Sequence, residues 1–508
     1  MSEHKVKIHK LPTGVPGLDE IMGGGLPELS FNIIAGSPGT GKTTLGHQIA
    51  FANATPKHPA LYFTVLGEPA MKMLRYQQQF TFFDQTKVNN TIRFINLSQF
   101  VLDKDLNAVM AQIAKEVEGT SPGIVVVDSF RTVARKAQAA SEMELQAFVQ
   151  NLALHLASWQ ATTFLLGEYT EDEMRGNPVF TVADGLFWLY QIVEGNAVVR
   201  KLQIVKLRGQ GSVPGMHTFR ITEAGLETFS RTLGLAGKKE KERSTRRLST
   251  GIAELDKMMG GGIPEGDSIL VSGASGTGKS LLGAQFIAEG LRRGESAIVA
   301  VFEERPRGYM GRAKNFDLDL ETPQKAGRLD ILYLRPLDLS VDETLHEILE
   351  AVRRVDAKRL VIDSIAGFEM ALAPGFRSNF RESLYRMISA LTGIGVTILS
   401  TVEVEASFTN FRFSNFTVSF LADDIIRLGY VEIDGQLRKI LMIIKMRGSA
   451  YSNDIREYEI TPEGLIIGPR MKGYRGLITE APEPLNSSAQ EEEPPDKPKG
   501  EEQENISG

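Results

Sequence analysis

The chain has 508 residues, 42% hydrophobic and 24% charged, ordinary proportions for a globular protein with room for two or more full cores. It contains no cysteine, which excludes disulfides, thiolate zinc sites and cysteine nucleophiles, and its formal net charge of -6 argues against a large basic nucleic-acid surface. No apolar run is long enough to span a bilayer, and Met1 to Lys5 leads into the first repeat without a signal-peptide pattern, so the expected location is the cytoplasm with no membrane contact.

In chain order, the same pattern is met twice. Thr13-Gly-Val-Pro-Gly-Leu-Asp19 returns as Thr250-Gly-Ile-Ala-Glu-Leu-Asp256, and Met22-Gly-Gly-Gly-Leu-Pro27 as Met259-Gly-Gly-Gly-Ile-Pro264. An apolar strand is expected over 29–35 and again over 268–272. Next comes Gly36, Ser37, Pro38, Gly39, Thr40, Gly41, Lys42 and Thr43, matched by Gly273, Ala274, Ser275, Gly276, Thr277, Gly278, Lys279 and Ser280. Both fit G-x-x-x-x-G-K-[ST], the phosphate-binding P-loop. Glycines let the chain turn so that successive N–H groups point at phosphate oxygens, and the helix that follows adds the positive end of its dipole. Lys42 and Lys279 are placed to reach the β- and γ-phosphates of ATP. The Thr43 and Ser280 hydroxyls are placed to ligate Mg²⁺. A glycine turn with its lysine in solvent is the bland alternative, which two copies in corresponding places disfavour.

Helices are expected over 44–52 and 281–291, then second strands over 60–66 and 297–302. Ile124-Val-Val-Val-Asp128 and Leu360-Val-Ile-Asp363 end further strands on an aspartate, the position of a carboxylate beside Mg²⁺. Leu145, Phe148, Val149, Leu152 and Leu156, like Leu384, Met387, Ile388 and Leu391, recur at helical spacing and read as core faces. Apolar runs alternating with helices define the fold class: α/β, two tandem P-loop NTPase domains, each a mostly parallel sheet flanked by helices. Each half closes on a hairpin turning at Gly195-Asn196 or Asp434-Gly435. The expected domains are residues 1–236 and 248–470. A charged linker over 237–247 joins them, and an acidic, Pro-rich disordered tail over 471–508 follows.

Glu303 and Glu304 end the strand after the second P-loop helix, where a carboxylate orients or deprotonates an attacking water or hydroxyl; a pair of solvated strand-end glutamates is the alternative. The first half reads Leu66-Gly67-Glu68-Pro69 and keeps one acid, Glu68, so hydrolysis there stays open. Lys206 and Arg208, repeated as Lys445 and Arg447, read either as strand-edge charge or as fingers acting on a neighbouring subunit's γ-phosphate; their repetition favours the second, which requires a ring.

Over roughly residues 6–469 the chain resembles the KaiC family of duplicated RecA-like ATPases. The resemblance rests on the paired P-loops, the T-G-x-x-x-L-D entry, Phe302-Glu303-Glu304, Val431-Glu-Ile433 and Lys445-Met-Arg-Gly-Ser449. It implies a homohexamer of two stacked rings with ATP between subunits, hydrolysis in the first ring and serine/threonine autokinase activity in the second. It also implies clock-type signalling partners, Glu303 as general base, and Lys445 and Arg447 on the neighbour's ATP. Counting back from Asp423-Asp424-Ile425-Ile426 puts Ser419 at the family's phosphoacceptor serine and Phe420 at its threonine, so a two-site cycle at these positions is not supported. Two other functions remain open: a nucleotide-gated scaffold with negligible turnover, and a RecA-like recombinase or helicase. The acidic charge and the lack of an evident basic, aromatic segment disfavour the latter.

Overall fold

The computed structural model describes residues 8–65, 70–103, 106–134, 142–158, 160–174, 177–194, 197–231, 244–334, 340–372, 380–404, 422–477 and 482–485. In the first half, β1 (Phe31–Gly36) runs into α1 (Lys42–Asn53), followed by β2 (Ala60–Thr64), α2 (Ala70–Gln77), β3 (Ile92–Asn96), α3 (Leu106–Thr120) and β4 (Ile124–Asp128). Then come α4 (Glu142–Ser158), β5 (Thr162–Glu168), β6 (Gly185–Glu194), β7 (Ala197–Leu207), β8 (Met216–Thr222) and β9 (Gly225–Phe229).

The second half repeats this course. It runs β10 (Ser268–Gly273), α5 (Lys279–Arg292), β11 (Ser296–Val301), α6 (Pro306–Lys314), β12 (Leu329–Tyr333), α7 (Val341–Val355) and β13 (Ala357–Asp363). It continues with α8 (Phe380–Gly393), β14 (Thr397–Glu403), β15 (Asp424–Ile433), β16 (Gln436–Met446), β17 (Arg456–Thr461) and β18 (Gly464–Arg470). Each half builds one nine-stranded sheet, in the orders β3-β2-β4-β5-β1-β6-β7-β8-β9 and β12-β11-β13-β14-β10-β15-β16-β17-β18. Strands from β3 to β6 and from β12 to β15 run parallel, and the rest are antiparallel.

The apolar runs become strands because both faces are covered. Ile34, Val126 and Leu166 pack with Leu45 and Ile49 of α1 on one face. Ile33, Val125 and Leu165 pack with Val109, Ile113, Phe148, Val149 and Leu152 of α3 and α4 on the other. Leu384, Met387, Ile388 and Leu391 are buried in the same way, as their helical spacing predicts. Side chains 145 and 156 lie outside the described ones, as do Gly195 and Asn196. The other hairpin turns where expected: Ile433 pairs with Gln436 across Asp434 and Gly435, which have φ of 54° and 70°.

Two features extend past the expected boundaries. Arg247 pairs with Pro264 and donates to the carbonyls of Met259 and Gly262, joining the second half before residue 248. Beyond Arg470, Tyr474–Arg475 pair with Glu483–Pro484, and Leu477 is buried against Val431, Ile433, Ile440 and Met442. The halves meet where Arg220 of β8 forms an ion pair with Glu343 at the start of α7, and Thr218 reaches Asp342 at 3.5 Å. Among the described residues, no helix is long and apolar enough to cross a membrane.

Candidate functional site

Each P-loop closes on a glycine that no other residue replaces without strain. Gly41 and Gly278 precede their helices with φ of 98° and 90°, and a Cβ there would lie 2.8 Å from Ile221 and 2.9 Å from Ile460. The isoleucines come from β8 and β17, so the terminal hairpin of each half covers its own P-loop. Gln48 and Gln285 fasten it by accepting from the backbone N–H groups of Leu226 and Leu465.

In the second half the loop opens into a cleft of about 390 Å³. Lys279, Ser280, Glu303, Asp363, Glu403 and Arg312 all face it. Lys279 Nζ donates to the Ala274 carbonyl at 2.8 Å. Burial pulls its pKa down, against the opposing pull of the Glu403, Asp363 and Glu303 carboxylates. Asp363 Oδ1 accepts from Thr401 Oγ1 at 2.5 Å.

β11 stops at Val301, so the two expected glutamates lie just past it and diverge. Glu303 is exposed to the cleft, and its Oε1 accepts from Ser364 Oγ at 2.9 Å. Ser364 is itself fixed as the N-cap of the helix Ile365–Ala371, accepting from Gly367 N. Glu304 instead forms an ion pair with Arg312 of α6. Burial raises its carboxyl pKa against that arginine's pull.

The first half holds the same parts with different partners. Lys42 Nζ donates to the Gly36 and Ser37 carbonyls at 3.0 and 2.8 Å. Burial lowers its pKa, opposed by Glu168 and Asp128. Thr43 Oγ1 donates to Asp128 Oδ2 at 2.8 Å, and Tyr62 OH donates to the same oxygen at 3.0 Å. Residues 66–69, and Glu68 with them, lie outside the described residues.

A hydroxyl beside a carboxylate at the mouth of a P-loop is hard oxygen chemistry of the kind Mg²⁺ takes. The described residues contain no group of three or more His, Cys, Asp or Glu side chains able to hold a metal alone. A cation at either site would therefore complete its shell with phosphate and water oxygens. Thr43 with Asp128, and Ser280 with Asp363, fit that role.

The expected fingers do not lie at their own P-loops. Lys206 Nζ donates to the Thr181 carbonyl at 3.1 Å, and Arg208 pairs with Asp184 at 3.2 Å. Lys445 Nζ donates to the Ala422 carbonyl at 2.7 Å, and Arg447 pairs with Asp423 at 3.6 Å. Asp184 and Asp423 in turn accept from the backbone N–H groups of Phe31 and Ser268, at the starts of β1 and β10. The cations thus sit at the opposite end of the central strand from their own P-loop, roughly 17 Å away along the strand. A bulge opposite Leu186/Phe187 and opposite Ile425/Ile426 precedes each lysine and re-aims it. β7 and β16 end one residue before Arg208 and Arg447, which extend the ladder by donating from their backbone N–H to Asp184 and Asp423.

Several residues around the sites carry no motif of their own. Glu168 and Glu403 end β5 and β14 and pair in register with Gly36 and Gly273. A repeat spacing of 235, the same as between Asp128 and Asp363, was their available signal. Tyr62, Thr401, Ser364 and Arg312 become visible only through the strand register and the packing of α6.

Fold and loops together define a tandem RecA-like P-loop protein, with two copies of one nucleotide-binding domain architecture in one chain. The family model for the KaiC ATPase matches residues 11–232 and again 248–472. The chain is 32% identical over 497 residues to the circadian clock oscillator protein KaiC of Picosynechococcus sp., covering 94% of this chain and 92% of that protein. It is 31% identical over 495 residues to the protein of the same name from Rippkaea orientalis, with the same coverage of both. The chain belongs to the KaiC ATPase family.

Proposed function

We propose that both P-loops bind ATP with Mg²⁺, and that the second domain hydrolyses ATP and transfers its γ-phosphoryl group to Ser419 of the same protein. The observation that carries this reading is the convergence of Lys279, Asp363 and Glu303 on one cleft. Lys279 exchanges its loop-carbonyl bond for the β- and γ-phosphates. Thr43 and Asp128, and Ser280 and Asp363, would hold Mg²⁺, which neutralises phosphate charge as it develops. Glu303, oriented by Ser364, takes the proton of the attacking water or serine hydroxyl as ADP leaves.

Glu304 is paired with Arg312, which favours Glu303 for that task. In a homohexameric ring, Lys206 and Arg208, and Lys445 and Arg447, would reach the neighbour's nucleotide. Their distance from their own loops is consistent with action across the interface. Ser419 lies outside the described residues. Signalling or clock-type output through protein partners is the role its relatives' name suggests.

The test is incubation of the full chain with Mg-ATP, followed by phosphopeptide mapping and measurement of ADP release. Phosphate on Ser419 in the parent, absent in Lys279→Ala, supports the autokinase. Glu303→Gln is expected to lower ADP release about 100-fold. ADP release without any phosphopeptide would leave an ATPase and sink the kinase.

A further inference from the structure

The two strand-end aspartates are held from opposite sides. In the first half Asp128 receives the Tyr62 hydroxyl from β2. In the second half Asp363 receives the Thr401 hydroxyl from β14. The ladder makes this comparison strict. Tyr62 pairs with Phe94 and Val126, and its counterpart Val299 pairs with Ile331 and Val361. Thr401 pairs with Val271, and its counterpart Leu166 pairs with Ile34. Neither counterpart carries a hydroxyl, so among the described residues each aspartate takes one hydroxyl from a neighbouring strand, a different strand in each half, and Asp128 takes that of Thr43 in the P-loop as well.

Tyr62 stands on an aromatic stack that the second half lacks. Its ring lies 4.3 Å from that of His47 and 5.4 Å from that of Phe94, and Phe51 continues the stack 6.3 Å beyond His47. At the repeat spacing of the P-loop lysines these four residues correspond to Ala284, Val299, Ile331 and Ala288. His47 is fully buried, and neither ring nitrogen has a hydrogen-bond partner among the described residues. Burial holds its pKa down to about 3, so it packs as a neutral aromatic plate. A buried phenol needs an acceptor for its O–H, and the stack leaves Tyr62 aimed at Asp128.

We propose that Tyr62 is a positioning residue of the first nucleotide site. Its hydroxyl, aimed by the His47 stack, fixes the Asp128 carboxylate for the divalent cation that accompanies nucleotide, while Thr401 does this in the second site. The inference rests on the nucleotide-binding reading above. Outer contacts of this kind set how well a carboxylate is oriented toward a metal. The two sites therefore depend on different side chains for their Mg²⁺ requirement.

The experiment uses the full chain carrying Lys279→Ala, so that a fluorescent ATP analogue reports the first site. Binding is titrated against Mg²⁺ and repeated in EDTA. Adding Tyr62→Phe, which keeps the ring, is expected to raise the half-saturating Mg²⁺ concentration roughly tenfold, the effect of losing one hydrogen bond to a charged group. Affinity in EDTA stays unchanged. In a Lys42→Ala chain, which reports the second site, Tyr62→Phe leaves the Mg²⁺ curve in place and Thr401→Val shifts it. An unmoved Mg²⁺ midpoint in the first site, or an equal loss of affinity in EDTA, overturns the positioning role. No binding by the Lys279→Ala parent at any Mg²⁺ concentration overturns the nucleotide reading of the first site, and the inference with it.

Discussion

Glu303 and Glu304 are neighbours with the same chemistry and different fates. The end of β11 at Val301 turns one toward the cleft and gives the other to Arg312. A carboxylate near the first site shows what such a pairing does to stability. Glu173 accepts from Arg131 and from the Thr170 backbone N–H. The Arg131 hydrogen bonds bring its pKa from 4.5 down to about 2. A depressed carboxyl stabilises the fold fully above its unfolded value, and this contribution is lost as pH falls from 4.5 toward 2. Glu173→Gln is therefore expected to lower the melting temperature at pH 6 and to lower it much less at pH 2, where the folded carboxyl is about half protonated, read by circular dichroism. Equal melting shifts at both pH values would show that the pairing carries no such charge-linked stability.

Among the elements, β13 carries a charge matched inside the core. Arg359 is completely buried between the sheet and α5. It pairs with Glu295 at 2.6 Å, donates to the carbonyls of Ser249 and Phe286, and lies 4.5 Å over the Phe286 ring. Gly290 of α5 makes room for it, since a Cβ there would come within 2.4 Å of the guanidinium. Removing one partner of a buried pair leaves the other charge uncompensated. Arg359→Ala should cost about 3–5 kcal/mol in urea unfolding. Arg359→Lys should recover little, because a single ammonium cannot serve carboxylate, carbonyls and ring together. In the sequence this arginine is the second of two adjacent cations, Lys358 and Arg359, at the head of an apolar run; its burial follows from the lateral pairing of β13 with β11 and β14.

For the whole molecule, the proposed ring implies that one subunit completes its neighbour's site. Lys445 and Arg447 sit at the far end of the sheet from Lys279, so a single chain does not bring them together. Mixing Glu303→Gln chains with Arg447→Ala chains tests this directly. In a randomly mixed ring, about a quarter of the second-domain sites would combine an intact Glu303 with an intact neighbouring Arg447. ATPase activity from the second domain should rise to about that fraction of wild type, while each variant alone is expected to show about a hundredth of it. No recovery would mean that the finger serves its own chain. Within one chain the halves are joined by Arg220 and Glu343. Glu343 also closes the capping box of α7 with Ser340, so this contact ties the first half's P-loop hairpin to a helix packed on β11 and β13.

The sequence by itself determined the duplication, the mostly parallel sheets, the two P-loops and the strand-end aspartates. Each is written locally: glycines at required φ, apolar runs of strand length, and an acid at the end of such a run. The tertiary structure alone decided the partners. Glu403 reaches the cleft because β14 lies beside β10 in register, and Tyr62 meets Asp128 because β2 lies beside β4. Glu304 is separated from Glu303 because α6 brings Arg312 to one of them. The opposite placement of the Lys/Arg pairs follows from β6 running parallel to β1 and β15 to β10, so that antiparallel β7 and β16 finish at the ends of β1 and β10 opposite the P-loops. Such pairings depend on which strands become neighbours, and residues scores of positions apart in the chain do not announce them.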